Sequence, residues 1–562
     1  MNILGLNYFY HDSTACVVSD GKLIVAIEEE RLSRVKHTYA FPYLSIKKTL
    51  EVAKLDYGDI DSIAVSIKPT LHWPAKLWYG LKNLTNAKPF ISHELIRARY
   101  KQKEFWDWYK GIWPDRSRGP KVYFVPHHLT HAAGSFFVSP YESAALLALD
   151  GSGEWATSLL GKGEGNTITT YNQSFFPMSL GSFYESVTEF CGFKPNYDEG
   201  KTMGLAPLGD PSVFHDIVDK IVTVDSEGSI NIDLSYFNYQ FWARRRCSQK
   251  FYDTFGQPRK GNEPFKAHHL NAAAAFQRVL EEKALQLSRI LRERTGCRYL
   301  VVAGGVALNS VMNGRIVRES GFDDIYVMPA AGDNGTGIGA AYYVYNCILN
   351  NPRGSVHNDP YVGNSYTNDQ IKTVLDEAKL KAEWQEDVAG AAAKMLHAGK
   401  IIGWFQGRME IGPRSLGNRS ILADPTRADM KDKVNAEVKH REAYRPFAPS
   451  VPAERREEFF LSKVEAPFML KVCDVRPEMR SVIPAITHVD GSARLQTVRK
   501  EINPLYHELL TKFGELSKVP VLLNTSFNVM GEPMVESPVD AIRCFYSTGL
   551  DALFVGNYLL RK

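Results

Sequence analysis

The chain has 562 residues, with 67 Lys+Arg against 63 Asp+Glu for a net charge of +4, and is 44% hydrophobic and 23% charged. That balance excludes a long disordered tract and the basic excess of a dedicated nucleic-acid binder, while the length exceeds what one core serves, so two or more domains are expected. Seven scattered cysteines without a C-x-x-C exclude a disulfide framework and a zinc ribbon and suit a reducing compartment.

The opening MNILGLNYFYHDSTA has no basic leader region, and no later apolar run reaches membrane-spanning length. The expectation is a soluble, cytoplasmic protein without a membrane partner. A strand is expected over Ile3 to Leu6 and another over Ala15 to Val18, closed by the hairpin signal Ser19-Asp20-Gly21. From Ala144 the run AALLALD, the turn DGSGE and the stretch ATSLL repeat this strand-turn-strand pattern weakly. A long helix carries Phe276, Leu280, Ala284, Leu287 and Leu291 on one face and stops at Gly296, ahead of the strand YLVVAGG. The Asn-, Pro- and Gly-rich segment from Asn350 to Tyr366 has no periodicity and marks the boundary, giving domains 1–355 and 367–562 with 356–366 as linker. Beyond it a helix over Ala389 to His397 and the apolar strands KIIGWFQG, VPVLLN and ALFVGNYLL begin a fresh pattern, so both domains are expected to be mixed α/β.

The strand VYFVP runs into HHLTHAA, read as the opening of a helix. His127 and His131 then share one face at i and i+4, as two imidazoles on one metal require. Asp150 and Asp333 each end an apolar run at a Gly turn, where strand-end carboxylates can converge on a cleft. Two imidazoles and two carboxylates without a thiolate suit Fe(II), Mn(II) or Zn(II), and the set does not choose among them. The loops HDSTA, DGSGE, AGGVALN and GDNGTGIGA could bring backbone N–H groups close to phosphates or an adenosine. GTGIGA also fits G-x-G-x-x-A, but no regular βαβ unit follows it and the spaced acid, Asp359, falls in the linker, so a Rossmann site is rejected. Trp73, Trp78, Trp106, Trp108 and Trp113, among Tyr79, Tyr100 and Tyr109, could stack on an acceptor, although packing is the commoner role of such a cluster. The basic runs RARYKQK and ARRRC read as solvated faces.

HDSTA, EEERLSRVKH, HHLTHA, DGSGE, GKTMGLAPLG, AGGVALN, GDNGTGIGA, GRMEIGPRSLGNRSIL, HREAYRPFAPS, HVDGSARLQTV and NTSFNVMGEPMVESP occur in the order found in antibiotic and nodulation-factor O-carbamoyltransferases of the tobramycin-carbamoyltransferase type, which the chain resembles over nearly its whole length. The resemblance implies an actin-like ATPase (ASKHA, Kae1-like) first domain and a YrdC-like second domain. It implies iron on His127, His131, Asp150 and Asp333, a general base at His11, and carbamoyl-adenylate near Asp12, Gly151, Gly153, Gly304, Gly305, Asn309 and Gly332. It places ATP with Mg²⁺, and carbamoyl phosphate, among Arg414, Lys439, Arg441, Arg445, Arg494, Asn524, Ser526 and Asn528. Guanidinium forks suit such polyanionic substrates. Ser415 departs from the Ala common in relatives.

The implied enzyme is an ATP- and carbamoyl-phosphate-dependent O-carbamoyltransferase acting on a small hydroxylated acceptor of natural-product or sugar-like type, with no nucleic-acid partner. A threonylcarbamoyl-type transferase acting on tRNA is opposed by the balanced charge, and a non-catalytic nucleotide-binding regulator by the intact HHLTHA and NTSFN motifs. Hydrogenase-maturation carbamoyltransferases carry the activating domain first and Cys-rich fingers, and this chain has neither.

Overall fold

The unbroken run of buried side chains from Ile3 to Asn7 starts a sheet whose strands are covered on both faces. The structure is a computed structural model that describes residues 1–83, 88–241, 245–261, 263–354 and 356–562; Ala243 and Arg244 of ARRRC, and Ser355 at the expected domain end, lie outside the described residues. β1 (Asn2–Asn7) pairs antiparallel with β2 (Thr14–Ser19), and β2 with β3 (Lys22–Glu28). On its other side β1 runs parallel to β4 (Ser62–Val65), and β4 to β5 (Lys121–Phe124). The sheet order is therefore β3-β2-β1-β4-β5.

The same layout recurs. β6 (Ser143–Gly153), β7 (Ala156–Glu164) and β8 (Thr167–Asn172) form an antiparallel meander, and β6 runs parallel to β9 (Tyr299–Ala303), which runs parallel to β10 (Asp324–Val327). Two copies of three meander strands followed by two parallel crossovers constitute the actin-like ATPase fold, and the faint repeat between HDSTA and DGSGE is its trace in the sequence.

Helix α1 (His127–Phe136) follows β5 directly, and α2 (Ala267–Thr295) buries Phe276, Leu280, Ala284, Leu287 and Leu291 before Gly296 caps it in a left-handed conformation, φ 65°. GTGIGA forms α3 (Thr336–Tyr342), and its glycines serve helix packing: a Cβ on Gly339 would stand 1.8 Å from the Thr130 carbonyl oxygen in α1. Trp106, Trp108 and Trp113 pack among Phe41, Tyr57, Phe105, Tyr109 and Phe124, whereas Trp78 is 70% exposed. The basic runs are not uniformly solvated. Lys101 is buried and donates to the carbonyls of Tyr8 and Tyr39, and Arg246 pairs with the buried Glu185, because each finds acceptors that offset its desolvation.

By internal contacts the chain divides into Met1–Glu28 with His37–His357, and Glu29–Lys36 with Asn358–Lys562. A cut at one linker does not anticipate the second assignment. Its cause is visible in Arg31, which donates to the Gly412 carbonyl at 2.8 Å, and Arg34, which donates to the carbonyls of Pro533 and Met534 at 2.9 and 2.6 Å. The expected linker is itself packed: the His357 N–H donates to Val138 and the Tyr361 hydroxyl to Leu416, and both residues are buried.

The second unit is built on an eight-stranded mixed sheet with Ile402–Phe405, Arg419–Ala423 and Leu522–Ser526 as successive antiparallel central strands. Ile402, Trp404, Leu422 and Phe554 enter one core and Phe405, Ile421, Leu523 and Val555 the other, so side chains alternate between two covered faces. ALFVGNYLL, expected as one strand, is a hairpin of Ala552–Val555 and Tyr558–Arg561 turned at Gly556, where φ is +54°.

Candidate functional site

In the first unit, the chemistry-bearing side chains sit at the carboxyl ends of parallel strands, where such sheets place ligands. His11 and Asp12 follow β1, His127 and His131 lie on the helix after β5, Asp150 ends the apolar part of β6, and Asp333 follows β10. The fold thereby assembles residues up to 322 positions apart, since 333 − 11 = 322.

His127, His131, Asp150 and Asp333 are all buried, and one donor atom from each lies within 4.8 Å of the others. Nε2 of His127 stands 3.3 Å from Asp150 Oδ2 and 3.4 Å from Asp333 Oδ1; Nε2 of His131 stands 3.4 and 3.5 Å from the same two oxygens and 3.0 Å from the His127 Nε2. Donor atoms bound at about 2.0–2.2 Å to one first-row ion are spaced in this way. Asp333 Oδ1 accepts no hydrogen bond although it is buried, and two carboxylates facing two imidazoles match a divalent charge. The residues therefore fit a divalent metal.

Burial opposes charge on every one of these groups, and their mutual attraction outweighs it. Burial works against the His127 imidazolium, but Asp333 and Asp150 raise its pKa well above the usual histidine range; His131 is raised in the same way by Asp150 and Asp333. Against the same penalty, the imidazoles hold Asp150 below the ordinary carboxylate range, and His11 and His127 do so for Asp333. Outer contacts orient the set: the Gly305 N–H donates to Asp150 Oδ1 at 3.0 Å, and Glu154 accepts from the His127 N–H at 3.1 and 3.2 Å. Glu154, which the sequence reading missed, is buried and also accepts from the Lys68 N–H at 2.6 Å. Nothing but its place after the DGSG turn could have marked it.

Beside this cluster, His11 Nε2 is 3.8 Å from Asp333 Oδ2, and its Nδ1 donates to Asp12 at 3.0 Å. Burial disfavours its charged form, but Asp333 and then Asp12 push its pKa up to about 10. Asp12, expected near a nucleotide, spends its carboxylate on two imidazoles, those of His11 and His37. The loop glycines are also committed. The Gly304 N–H donates to the Ala331 carbonyl, and Gly305 to Asp150, so these N–H groups hold the turns beside the four-donor cluster. Asn309 caps the helix Ser310–Glu319 and exchanges hydrogen bonds with Gln277. Gly151 follows Asp150, and its carbonyl accepts from Ser179; Gly332 precedes Asp333 in its turn. Gly153 approaches His127 so closely that a Cβ would stand 2.1 Å from its Cδ2. Gly153→Ala is therefore expected to displace that imidazole and weaken metal binding by about 10–100-fold, read by titration of the metal-free protein with Zn²⁺.

The second unit gathers cations. Arg414, Arg441, Arg445 and Arg494 are near enough for charge to act on charge: burial lowers the pKa of Arg494 well below the guanidinium range, and Arg414, Arg441 and Arg445 lower it further. Burial and Arg445 bring Arg414 down to about 10 and Arg441 to about 9. The Nε of Arg414 and that of Arg494 are buried without a hydrogen-bond partner. Lys439 is buried too, donating to the carbonyls of Ser526 and Asn528 at 2.8 and 2.9 Å, with its pKa well below the usual lysine value through burial first and then Arg441. Lys36, absent from the sequence-derived set, is close enough to add to that effect. Converging cations with unpaired donors fit a polyanion. The Asn524 amide bonds to neighbouring side chains: it donates to Ser450 and Gln496, and Ser415 gives it a hydroxyl donor at 3.1 Å. Ser526 and Asn528 are tied to each other at 2.8 Å and to Lys439.

Among the described residues no helix is long and apolar enough to cross a membrane. Residues 2–342 match the family model described as carbamoyltransferase N-terminus, and residues 393–562 the one described as carbamoyltransferase C-terminus. The chain is 40% identical to an uncharacterised protein of Synechocystis over 100% of its own length and 97% of that protein's. It is 40% identical to the nodulation protein NolNO of Sinorhizobium fredii, covering 99% of this chain and 80% of the relative. It is 28% identical to the 3'-hydroxymethylcephem-O-carbamoyltransferase of Streptomyces clavuligerus, covering 98% of both. With both halves matched in order and full-length relatives at this level of identity, the chain belongs to the carbamoyltransferase family.

Proposed function

We propose that the protein is an ATP-dependent O-carbamoyltransferase that makes carbamoyl-adenylate from carbamoyl phosphate and ATP and passes the carbamoyl group to a hydroxyl of a small acceptor. Adenylation is assigned to residues 367–562, transfer to residues 1–355, with 356–366 between them and the reaction taking place in the cytoplasm. The observation that carries the reading is the four-donor cluster with the His11–Asp12 pair beside it. The activity for which the Streptomyces relative is named, O-carbamoylation of a 3'-hydroxymethylcephem, supports a small hydroxylated acceptor of natural-product or sugar-like type.

Carbamoyl phosphate is first hydrolysed to phosphate and carbamate. A carbamate oxygen then attacks the α-phosphorus of ATP, which arrives with Mg²⁺, and pyrophosphate leaves; Arg414, Arg441, Arg445 and Arg494 stabilise the charge that develops on the phosphoryl oxygens. In the second reaction the acceptor oxygen bonds to the carbamoyl carbon, the bond to AMP breaks, and the hydroxyl proton passes to His11. Fe(II), or another divalent ion on His127, His131, Asp150 and Asp333, would polarise the carbamoyl oxygen and, by its charge, oppose protonation of His11. Asp12 holds the Nδ1–H of His11, which leaves Nε2 as the proton-accepting atom. General-base assistance of this kind is worth about 10²–10⁴-fold.

The test is mass spectrometry after supplying ATP, carbamoyl phosphate, Mg²⁺ and Fe(II) with a panel containing a 3'-hydroxymethyl cephem and N-acetylglucosamine oligomers. The expected result is a product heavier by one carbamoyl group, with AMP and pyrophosphate released only when carbamoyl phosphate is present. Nucleotide binding with no such release would instead identify a non-catalytic regulator.

A further inference from the structure

We propose that His37 is a positioning residue for carbamoyl transfer, acting on His11 through Asp12; the inference rests on the function proposed above. The Nδ1 of His37 donates to Asp12 Oδ1 at 2.6 Å, while Asp12 Oδ2 accepts from His11 Nδ1 at 3.0 Å. Each carboxylate oxygen is thus held by one imidazole, which fixes the carboxylate plane and, through it, the ring of His11. The far side of that ring, Nε2, faces Asp333 Oδ2 at 3.8 Å.

Asp12 and His37 both adopt left-handed backbone, each with φ 53°. Residues other than glycine keep that conformation where their surroundings over-determine it. Here the surroundings do so. Asn7 Nδ2 donates to the carbonyls of His11 and Asp12 at 2.9 and 3.1 Å, and Thr14 Oγ1 to that of Asp12 at 2.9 Å. The Ser13 N–H donates to the Thr38 carbonyl at 3.0 Å and its hydroxyl to Ala40 at 2.7 Å, so the segment after His37 is fastened to the loop that carries His11. Buried Lys101 fastens the same two segments once more, through the carbonyls of Tyr8 and Tyr39. The ring of Tyr197 meets His37 edge-on at 4.3 Å. The contact between His37 and Asp12 therefore joins two braced segments, as outer-shell partners do when they set the tautomer and direction of a working histidine.

The test uses the full-length, metal-loaded protein and measures carbamoyl-phosphate-dependent AMP release from ATP with water as the acceptor. A misplacement of about 1 Å at a reacting group costs about 10²-fold. His37→Ala should accordingly lose about 10–100-fold in kcat with KM for ATP unchanged and metal content, measured by mass spectrometry, still at the wild-type level. His37→Asn, whose amide nitrogen can occupy the place of Nδ1, should recover to within about threefold of wild type, and His37→Gln, with its donor further out, should not. If His37→Ala proves insoluble, the difference between Asn and Gln carries the same expectation. Crystal structures should show the contact between His11 and Asp12 kept in the Asn variant and lost in the Gln variant. Equal rates in the Asn and Gln variants, or a wild-type kcat in His37→Ala alongside an inactive His11→Ala, would overturn the role of His37. A wild-type rate in His11→Ala would overturn the proposed function, and this inference with it.

Discussion

His127→Ala should abolish carbamoyl transfer, by about 10³-fold or more, while carbamoyl-phosphate-dependent exchange of pyrophosphate into ATP continues. The reason lies in the spacing of the cluster. Its Nε2 is within 3.4 Å of Asp150 Oδ2, Asp333 Oδ1 and the His131 Nε2, so its loss removes one of four donors and leaves two buried carboxylates facing a single imidazole. Bound metal, counted by mass spectrometry, should fall with transfer, and chelation of the wild-type protein should reproduce the loss until Fe(II), Mn(II) or Zn(II) is returned. The refilling series also identifies the ion that works. If the variant lost exchange and transfer in equal measure, the assignment of the two reactions to separate sites would fail.

Arg494→Met should have the opposite profile: pyrophosphate exchange lost by about 10²–10³-fold, metal content untouched, and the ligand-free protein more stable by about 1–2 kcal/mol. The gain in stability follows from geometry. Burial opposes the charge of Arg494, the positive charges of Arg414, Arg441 and Arg445 oppose it further, and its Nε is buried without a partner. An apolar side chain of similar length removes that repulsion, as sites kept for function often permit. ATP should raise the melting temperature of the wild type and fail to raise that of the variant. Arg445→Ala should lose exchange as well, but with little gain in stability, because Arg445 is 28% exposed and already stands 3.8 Å from Glu442. A variant that bound ATP normally and melted earlier would show that Arg494 is a structural cation.

Much of this was legible in the chain because local rules and burial agree there. The spacing of His127 and His131 needs only a helix to put both rings on one face, and α1 begins at His127. Asp150 and Asp333 could be named because an apolar run ending at a Gly turn presents its carboxylate at a strand end. Periodicity likewise gave the buried face of α2 and the cap at Gly296. The hairpin in ALFVGNYLL escaped because Gly556 and Asn557 are flanked by apolar residues with no break in hydrophobicity.

Residue type and order along the chain therefore specified the four donors of the cluster and the alternation of strands and helices. Which side chains serve one another was settled by folding. Asp12 turns to His11 and His37, Gly305 to Asp150, Asn524 into a strand network, and Glu29–Lys36 packs with the second unit, because hydrogen bonds and burial act between residues that are remote in sequence. A buried polar atom must find its partner wherever the backbone brings one, and that choice has no local signature.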